Sequence, residues 1–164
     1  MANEEGIASV STGQPDLDKK MGGGIPLGSL TLLQGQSDSG KSVVSQQLIW
    51  GSLQSGLTVT LFTTENTTKS FLRQMSSLNL EVMEFLLLGR LKIYPISAGK
   101  RKLTAKQVFD TMLRNITNGP RVDLIVVDSL TTFVTRGSWE DTAAYFEECQ
   151  ILVGEARTII NVAS

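Results

Sequence analysis

With 164 residues, 41% of them hydrophobic, and 15 glycines, the chain is long enough to enclose one core and suits an α/β fold with many tight turns. Its 15 basic and 16 acidic residues nearly cancel, so no overall basic field draws it to nucleic acid; the complete absence of histidine removes Ser-His-Asp triads, Cys-His pairs and His-ligated zinc. The single Cys149 cannot close an intramolecular disulfide, no apolar run approaches the ~20 residues of a membrane span, and Met1 to Val10 lacks the pattern of a signal peptide. The expectation is a soluble protein of a reducing cytoplasm, able to dock at a membrane, with residues 1–10 as a flexible lead and residues 11–164 as one domain.

From Ser11 the chain is rich in turn formers, and Gly22-Gly-Gly-Ile-Pro26 reads as a structured turn beside the functional site rather than as a plain linker. Ser29 to Gln34 is a short apolar strand, and the helix that follows Ser42 carries Val44 and Leu48 on one face and ends at Gly56. Leu57 to Thr63 is a second strand, ending in Thr64-Glu-Asn66. Two helices follow, one with Phe71, Met75 and Leu78 at core spacing and a short one through Val82, Phe85 and Leu86 to Gly89. Leu91 to Pro95 is a third strand, and Gly99 to Lys102 is a basic loop, either a solvated charge run or a local nucleic-acid patch.

Thr104 and Gln107 form a capping box for a helix whose Val108, Met112 and Ile116 share a face, stopped by Gly119-Pro120. Val122 to Asp128 is a continuous apolar run ending in a carboxylate, the pattern of a buried parallel strand. Ser138 caps a helix with Tyr145, Cys149 and Leu152 on one side, and Thr158 to Val162 is the fifth strand. Strands alternating with helices predict a three-layer α/β/α sandwich around a mainly parallel sheet, with ligands at the carboxyl ends of its strands.

The chemistry is concentrated at Gly35-Gln36-Ser37-Asp38-Ser39-Gly40-Lys41-Ser42, a full G-x-x-x-x-G-K-[ST] phosphate-binding loop set between a strand and a helix. Polyphosphate needs many donors without crowding, so glycines turn the backbone N–H groups inward, while the helix start through Val43 adds its own unpaired N–H groups and positive dipole end. Lys41 is placed to reach the outer phosphates and Ser42 to offer its hydroxyl to Mg²⁺, so the expected cofactors are a nucleoside triphosphate, ATP by the resemblance below, and Mg²⁺. Asp128, at a strand end, is the candidate second metal anchor, its bland alternative being a helix cap. Glu65 is either the base that positions the attacking water or a capping acid ahead of the Thr67 helix.

Ser11-Thr-Gly13, Gly22-Gly-Gly-Ile-Pro26, the phosphate loop, Thr63-Thr-Glu65 and Asp128-Ser-Leu130 together resemble the RecA/KaiC superfamily of ring-forming ATPases. Within it, Thr63-Thr-Glu-Asn-Thr-Thr-Lys69 and Gly89-Arg-Leu-Lys-Ile-Tyr-Pro95 are similar to the accessory proteins of the archaeal flagellum, the archaellum. The resemblance implies a RecA-like core, ATP bound with Mg²⁺, a ring, hexameric in relatives, and work beside the archaellum motor ATPase and its membrane platform at the inner face of the cell membrane. By position it gives Lys41 and Ser42 the phosphate-loop roles, Asp128 the second acidic motif and Glu65 the catalytic role. Two departures stand out: relatives carry a Glu-Glu pair where this chain has Glu65-Asn66, and their fifth strand ends in Thr and His where this one ends Val162-Ala-Ser164.

The family's core also continues past that point, so the chain is expected to be truncated or divergent there, with its phosphate-loop strand left as a sheet edge. The function expected is an ATP-binding regulatory or assembly component with slow or absent hydrolysis. Alternatives are an active ATPase motor, motivated by Glu65, and a RecA-like DNA-binding paralogue, motivated by Lys100 to Lys102.

Overall fold

The computed structural model describes residues 9–36, 38–96 and 103–163. In chain order the elements are β1 (Ser9–Val10), α1 (Pro15–Lys20), β2 (Ile25–Pro26), β3 (Leu30–Gln34), α2 (Lys41–Gln54), β4 (Val59–Thr63), α3 (Thr68–Ser77), α4 (Met83–Leu87), β5 (Leu91–Pro95), α5 (Ala105–Asn118), β6 (Leu124–Asp128), α6 (Thr131–Val134), α7 (Trp139–Gly154) and β7 (Thr158–Ala163). Five strands form one parallel sheet in the order β3-β7-β6-β4-β5, and β1 pairs antiparallel with β2 in a separate two-residue ribbon.

Side chains alternate across a strand, so each central strand feeds two cores. Val59, Leu61, Leu124, Val126, Ile160 and Val162 pack with Leu48, Ile49 and Leu53 of α2 and Phe71 and Met75 of α3. Phe62, Ile125, Val127 and Ile159 pack on the other face with Val108, Phe109, Met112 and Ile116 of α5 and Tyr145, Cys149 and Leu152 of α7. Burial on both faces is why β6 reads as a continuous apolar run and why every residue of β4, its two threonines included, is buried. The result is the expected three-layer α/β/α sandwich.

Several local signals are met in full. The Thr104–Gln107 capping box forms in both directions, and Ser138 accepts the Asp141 N–H at the start of α7. Other readings need correction. Leu78 is 36% exposed as the C-cap of α3, because its helical spacing carries it past the end of the apolar stripe that Phe71 and Met75 bury. The Gly22–Gly24 turn is structured, but the segment it closes docks through Gly13 on Trp50 and Gly51, near the far end of α2 from the phosphate loop. Helices α1 and α6 were unannounced, being too short to show a period. Most of the proposed 1–10 lead and the basic residues Lys100 to Lys102 lie outside the described residues, as do Ser37 and Ser164.

Strand β3 pairs only with β7, so among the described residues it is a sheet edge, and its Leu32 is 52% exposed.

Candidate functional site

The site begins where β3 hands the chain to α2. The capping residue is Gly40, at φ 84°, a left-handed conformation that an L side chain adopts only with strain. Gly35 is required for a different reason: a Cβ there would sit 2.6 Å from Ser39 Oγ and 3.3 Å from Lys41 Cγ. The helices α3, α5 and α7 each start on a Thr or Ser side chain that accepts a backbone N–H, whereas α2 has no side-chain cap and no acidic residue in its first turn. Its leading N–H groups and dipole are therefore left for an anion.

An open cleft of about 250 Å³ lies at this helix start, lined by Asp38, Lys41, Ser42, Glu65, Asp128, Ser129 and Val162. The sheet register assembles it. Thr63 of β4 pairs with Asp128 of β6, and Asp128 with Val162 of β7, so the three strand ends finish level beneath the start of α2. The pairing continues into the turns, with Thr64 N–H donating to Asp128 O at 2.9 Å and Leu130 N–H to Val162 O at 2.7 Å. A volume below that of sites enclosing a whole small ligand fits phosphates and a cation, with any base and sugar over the open side.

Asp128 is only 8% exposed, and its carboxyl is pushed up to about 6, first by burial and then by the negative charge of Glu65, against the opposing pull of Lys41. Glu65 itself is exposed, and its Oε1 accepts from Thr64 Oγ1 at 3.2 Å; the same hydroxyl accepts the Ser129 N–H at 3.2 Å. One threonine thus ties the Glu65 turn to the residue following Asp128. Lys41 Nζ donates to the carbonyls of Gly35 and Gln36 within its own loop.

Of the residues expected from the sequence, Lys41, Ser42, Asp38, Glu65 and Asp128 are brought together in the cleft. Gly35, Gln36, Ser39 and Gly40 belong to the loop without lining the cleft, Val43 is exposed and does not line it either, and Ser37 is outside the described residues. Ser129, Val162 and Thr64 were missed as site residues; only their place just after or at strand ends could have signalled them. Among the described residues no group of three or more Cys, Asp or Glu side chains forms a cation cage. A hydroxyl from Ser42 and the carboxylate of Asp128 do fit Mg²⁺, which keeps waters and takes phosphate oxygens, and a cation would relieve the repulsion between Asp128 and Glu65. A second cavity, about 60 Å³ between β4, β5 and the end of α5, is lined by residues that include Thr60, Lys92 and Tyr94, with no carboxylate, and shares no residue with the cleft.

Since a Mg²⁺-binding carboxylate must be ionised, a pH dependence follows. Lowering the pH through about 6 should protonate Asp128 and weaken Mg²⁺-dependent nucleotide binding, while Mg²⁺-free binding changes less; titrations at pH 5 and 7.5 with Mg²⁺ or EDTA check this.

A parallel sheet with an uncapped helix start, a glycine-built loop and a carboxylate on the neighbouring strand end defines a phosphate-loop nucleotide-binding protein. The family model "ATPase: KaiC" matches residues 10–149, and the chain belongs to that family. Within it the chain is similar to the archaeal flagellar ATP-binding protein FlaH: it is 35% identical to that of Methanocaldococcus jannaschii over 155 residues, and 29% identical to that of Sulfolobus acidocaldarius over 154. These matches cover 89% and 92% of this chain, which spans 64% and 67% of the two relatives' lengths. The crystal structure of the flagellar accessory protein FlaH from M. jannaschii superposes with a TM-score of 0.79 at 32% identity, covering 96% of this chain and 70% of that one.

Proposed function

We propose that this chain is an ATP-binding regulatory or assembly component of the archaellum motor complex, in which Mg²⁺-ATP in the cleft orders a ring and hydrolysis is slow. The observation that carries it is the uncapped start of α2 facing Lys41, Ser42, Asp128 and Glu65 in one cleft. The likeness to FlaH supports the archaellum setting, and with it a place beside the motor ATPase and its membrane platform at the inner face of the membrane. None of the described helices is long and apolar enough to cross a membrane, so attachment there would be through a partner or a surface. A switch of this kind needs different affinities for two states rather than turnover.

The test is the mass of the particle by light scattering with and without Mg²⁺-ATP: a nucleotide-dependent rise to a discrete oligomer is expected, and an unchanged mass with nucleotide bound would overturn the ring.

Glu65 in the cleft favours a second reading, an active ATPase. Slow turnover is favoured by Asn66, which cannot accept a proton and whose Oδ1 is already engaged by Ser70 and Gln74. Asn66→Glu should then raise the hydrolysis rate by about tenfold or more while ATP affinity holds, since neither residue belongs to the phosphate cradle. A parent rate no faster than that of Glu65→Gln would count against the ATPase.

A further inference from the structure

Gln46 lies one turn beyond Ser42 on α2 and is only 4% exposed, on a helix whose other buried side chains include Leu48, Ile49 and Leu53. Burying an amide costs free energy unless it is hydrogen-bonded, so packing alone would favour an apolar residue here. The partner is on another helix: Gln46 Nε2 donates to Gln74 Oε1 of α3 at 2.9 Å. The other half of the Gln74 amide continues outward, Nε2 donating to Asn66 Oδ1 at 3.0 Å, and Ser70 Oγ donates to the same oxygen at 3.1 Å. Three amides therefore run in one direction from the phosphate-loop helix to the residue beside Glu65.

The far end of this string is a stiff turn. Thr63, buried at the end of β4, accepts the N–H groups of both Glu65 and Asn66 on its Oγ1, at 3.1 and 3.2 Å. Residues 65 and 66 thus share one backbone anchor, so the Asn66 amide and the Glu65 carboxylate leave the chain from the same turn. At the near end, phosphates held by the first turn of α2 bear on the helix four residues before Gln46. A small shift of α2 must either carry Gln74 along or stretch the hydrogen bond of the buried Gln46 amide, whose Gln74 partner lies on the exposed side.

We propose that Gln46, Gln74 and Asn66 are a positioning relay that couples occupancy of the phosphate loop to the direction of the Glu65 carboxylate. It rests on the reading of the cleft as a nucleotide site. Asn66 is then more than the missing half of a carboxylate pair: its amide oxygen is the terminal acceptor of the relay, and any acceptor oxygen of the same reach can serve.

Hydrogen exchange read by mass spectrometry tests this independently of turnover. In the parent protein, Mg²⁺-ATP should slow exchange in residues 38–46 and also, by about fivefold, the equivalent of one net hydrogen bond, in residues 62–69. Gln74→Leu, which keeps the bulk and removes both hydrogen bonds, should retain the first effect and lose the second. Asn66→Ala, at a half-exposed position, should do the same, whereas Asn66→Asp, which keeps an acceptor oxygen, should retain both. Slowing in 62–69 that survives in Gln74→Leu and Asn66→Ala, or that is absent from the parent while 38–46 responds, overturns the relay and leaves the nucleotide site standing. No slowing in 38–46 of the parent overturns the nucleotide site and the relay with it.

Discussion

Replacing Lys41 with alanine should weaken Mg²⁺-ATP binding by at least tenfold, and by up to about a hundredfold if the ammonium makes a full charge-assisted contact with the outer phosphates. Among the residues lining the cleft Lys41 is the only cation, so nothing there can substitute for it. In the ligand-free protein the same ammonium satisfies the carbonyls of Gly35 and Gln36, and binding has to exchange those contacts for phosphate oxygens. The substitution therefore removes a contact from both states, but the loop carbonyls can be rehydrated whereas the phosphate charge cannot be neutralised by water. Thermal stability of the ligand-free variant should stay close to that of the parent. Calorimetric titration gives the affinity and a melting curve the stability; unchanged affinity would refute the site.

The second large effect runs the other way. Asp128→Asn should stabilise the ligand-free fold by up to about 3 kcal/mol at pH 7 while abolishing most of the Mg²⁺-dependent part of nucleotide binding. The sign follows from linkage: the folded Asp128 carboxyl titrates near 6 against an ordinary 3.8, so the folded state holds the proton more tightly than the unfolded one. The stability this contributes is complete below about 3.8 and is lost as pH rises through about 6, beyond which the fold bears the full cost of a desolvated charge beside Glu65. Asparagine fills the same space without the charge. The stability gap between variant and parent, measured by denaturant unfolding, should be widest at neutral pH and close towards pH 4. A gap that does not depend on pH would show that Asp128 is not held at that cost.

The phosphate-loop motif and its setting between β3 and α2 were the most legible part of the sequence, because the motif needs specific residue types in an unbroken run. The place of Asp128 was legible as well, since a carboxylate that closes the apolar run Leu124 to Val127 stands at the carboxyl end of a buried strand, where the cleft lies. The Thr104–Gln107 capping box was readable for the same reason, being a local exchange of hydrogen bonds over four residues. What escaped notice depends on contacts distant in sequence. Thr64 gains its meaning from Ser129, 65 residues away, and Gln46 gains its meaning from Gln74, 28 residues away; before folding, both are ordinary polar residues. The Gly22–Gly24 turn shows the opposite error. Glycines near a glycine-rich loop suggested a shared site, but the short ribbon of Ser9–Val10 with Ile25–Pro26 carries that segment to the other end of α2.

The level finish of Thr63, Asp128 and Val162 decides where this fold can tolerate a change of length. A strand that slipped by one residue would present its alternate side chains, so Val127 would turn toward the cleft and the Asp128 carboxylate toward α5 and α7. An inserted residue inside β6 is thus equivalent to removing the Asp128 carboxylate from the cleft, however conservative the insertion. At the opposite rim of the sheet the turns are tied to one another instead, Asp123 accepting from the Thr58 N–H and hydroxyl and Arg90 donating to the carbonyls of Leu53 and Leu57. One rim of the sheet lines the cleft, and the other holds the strands in register by ties between its turns.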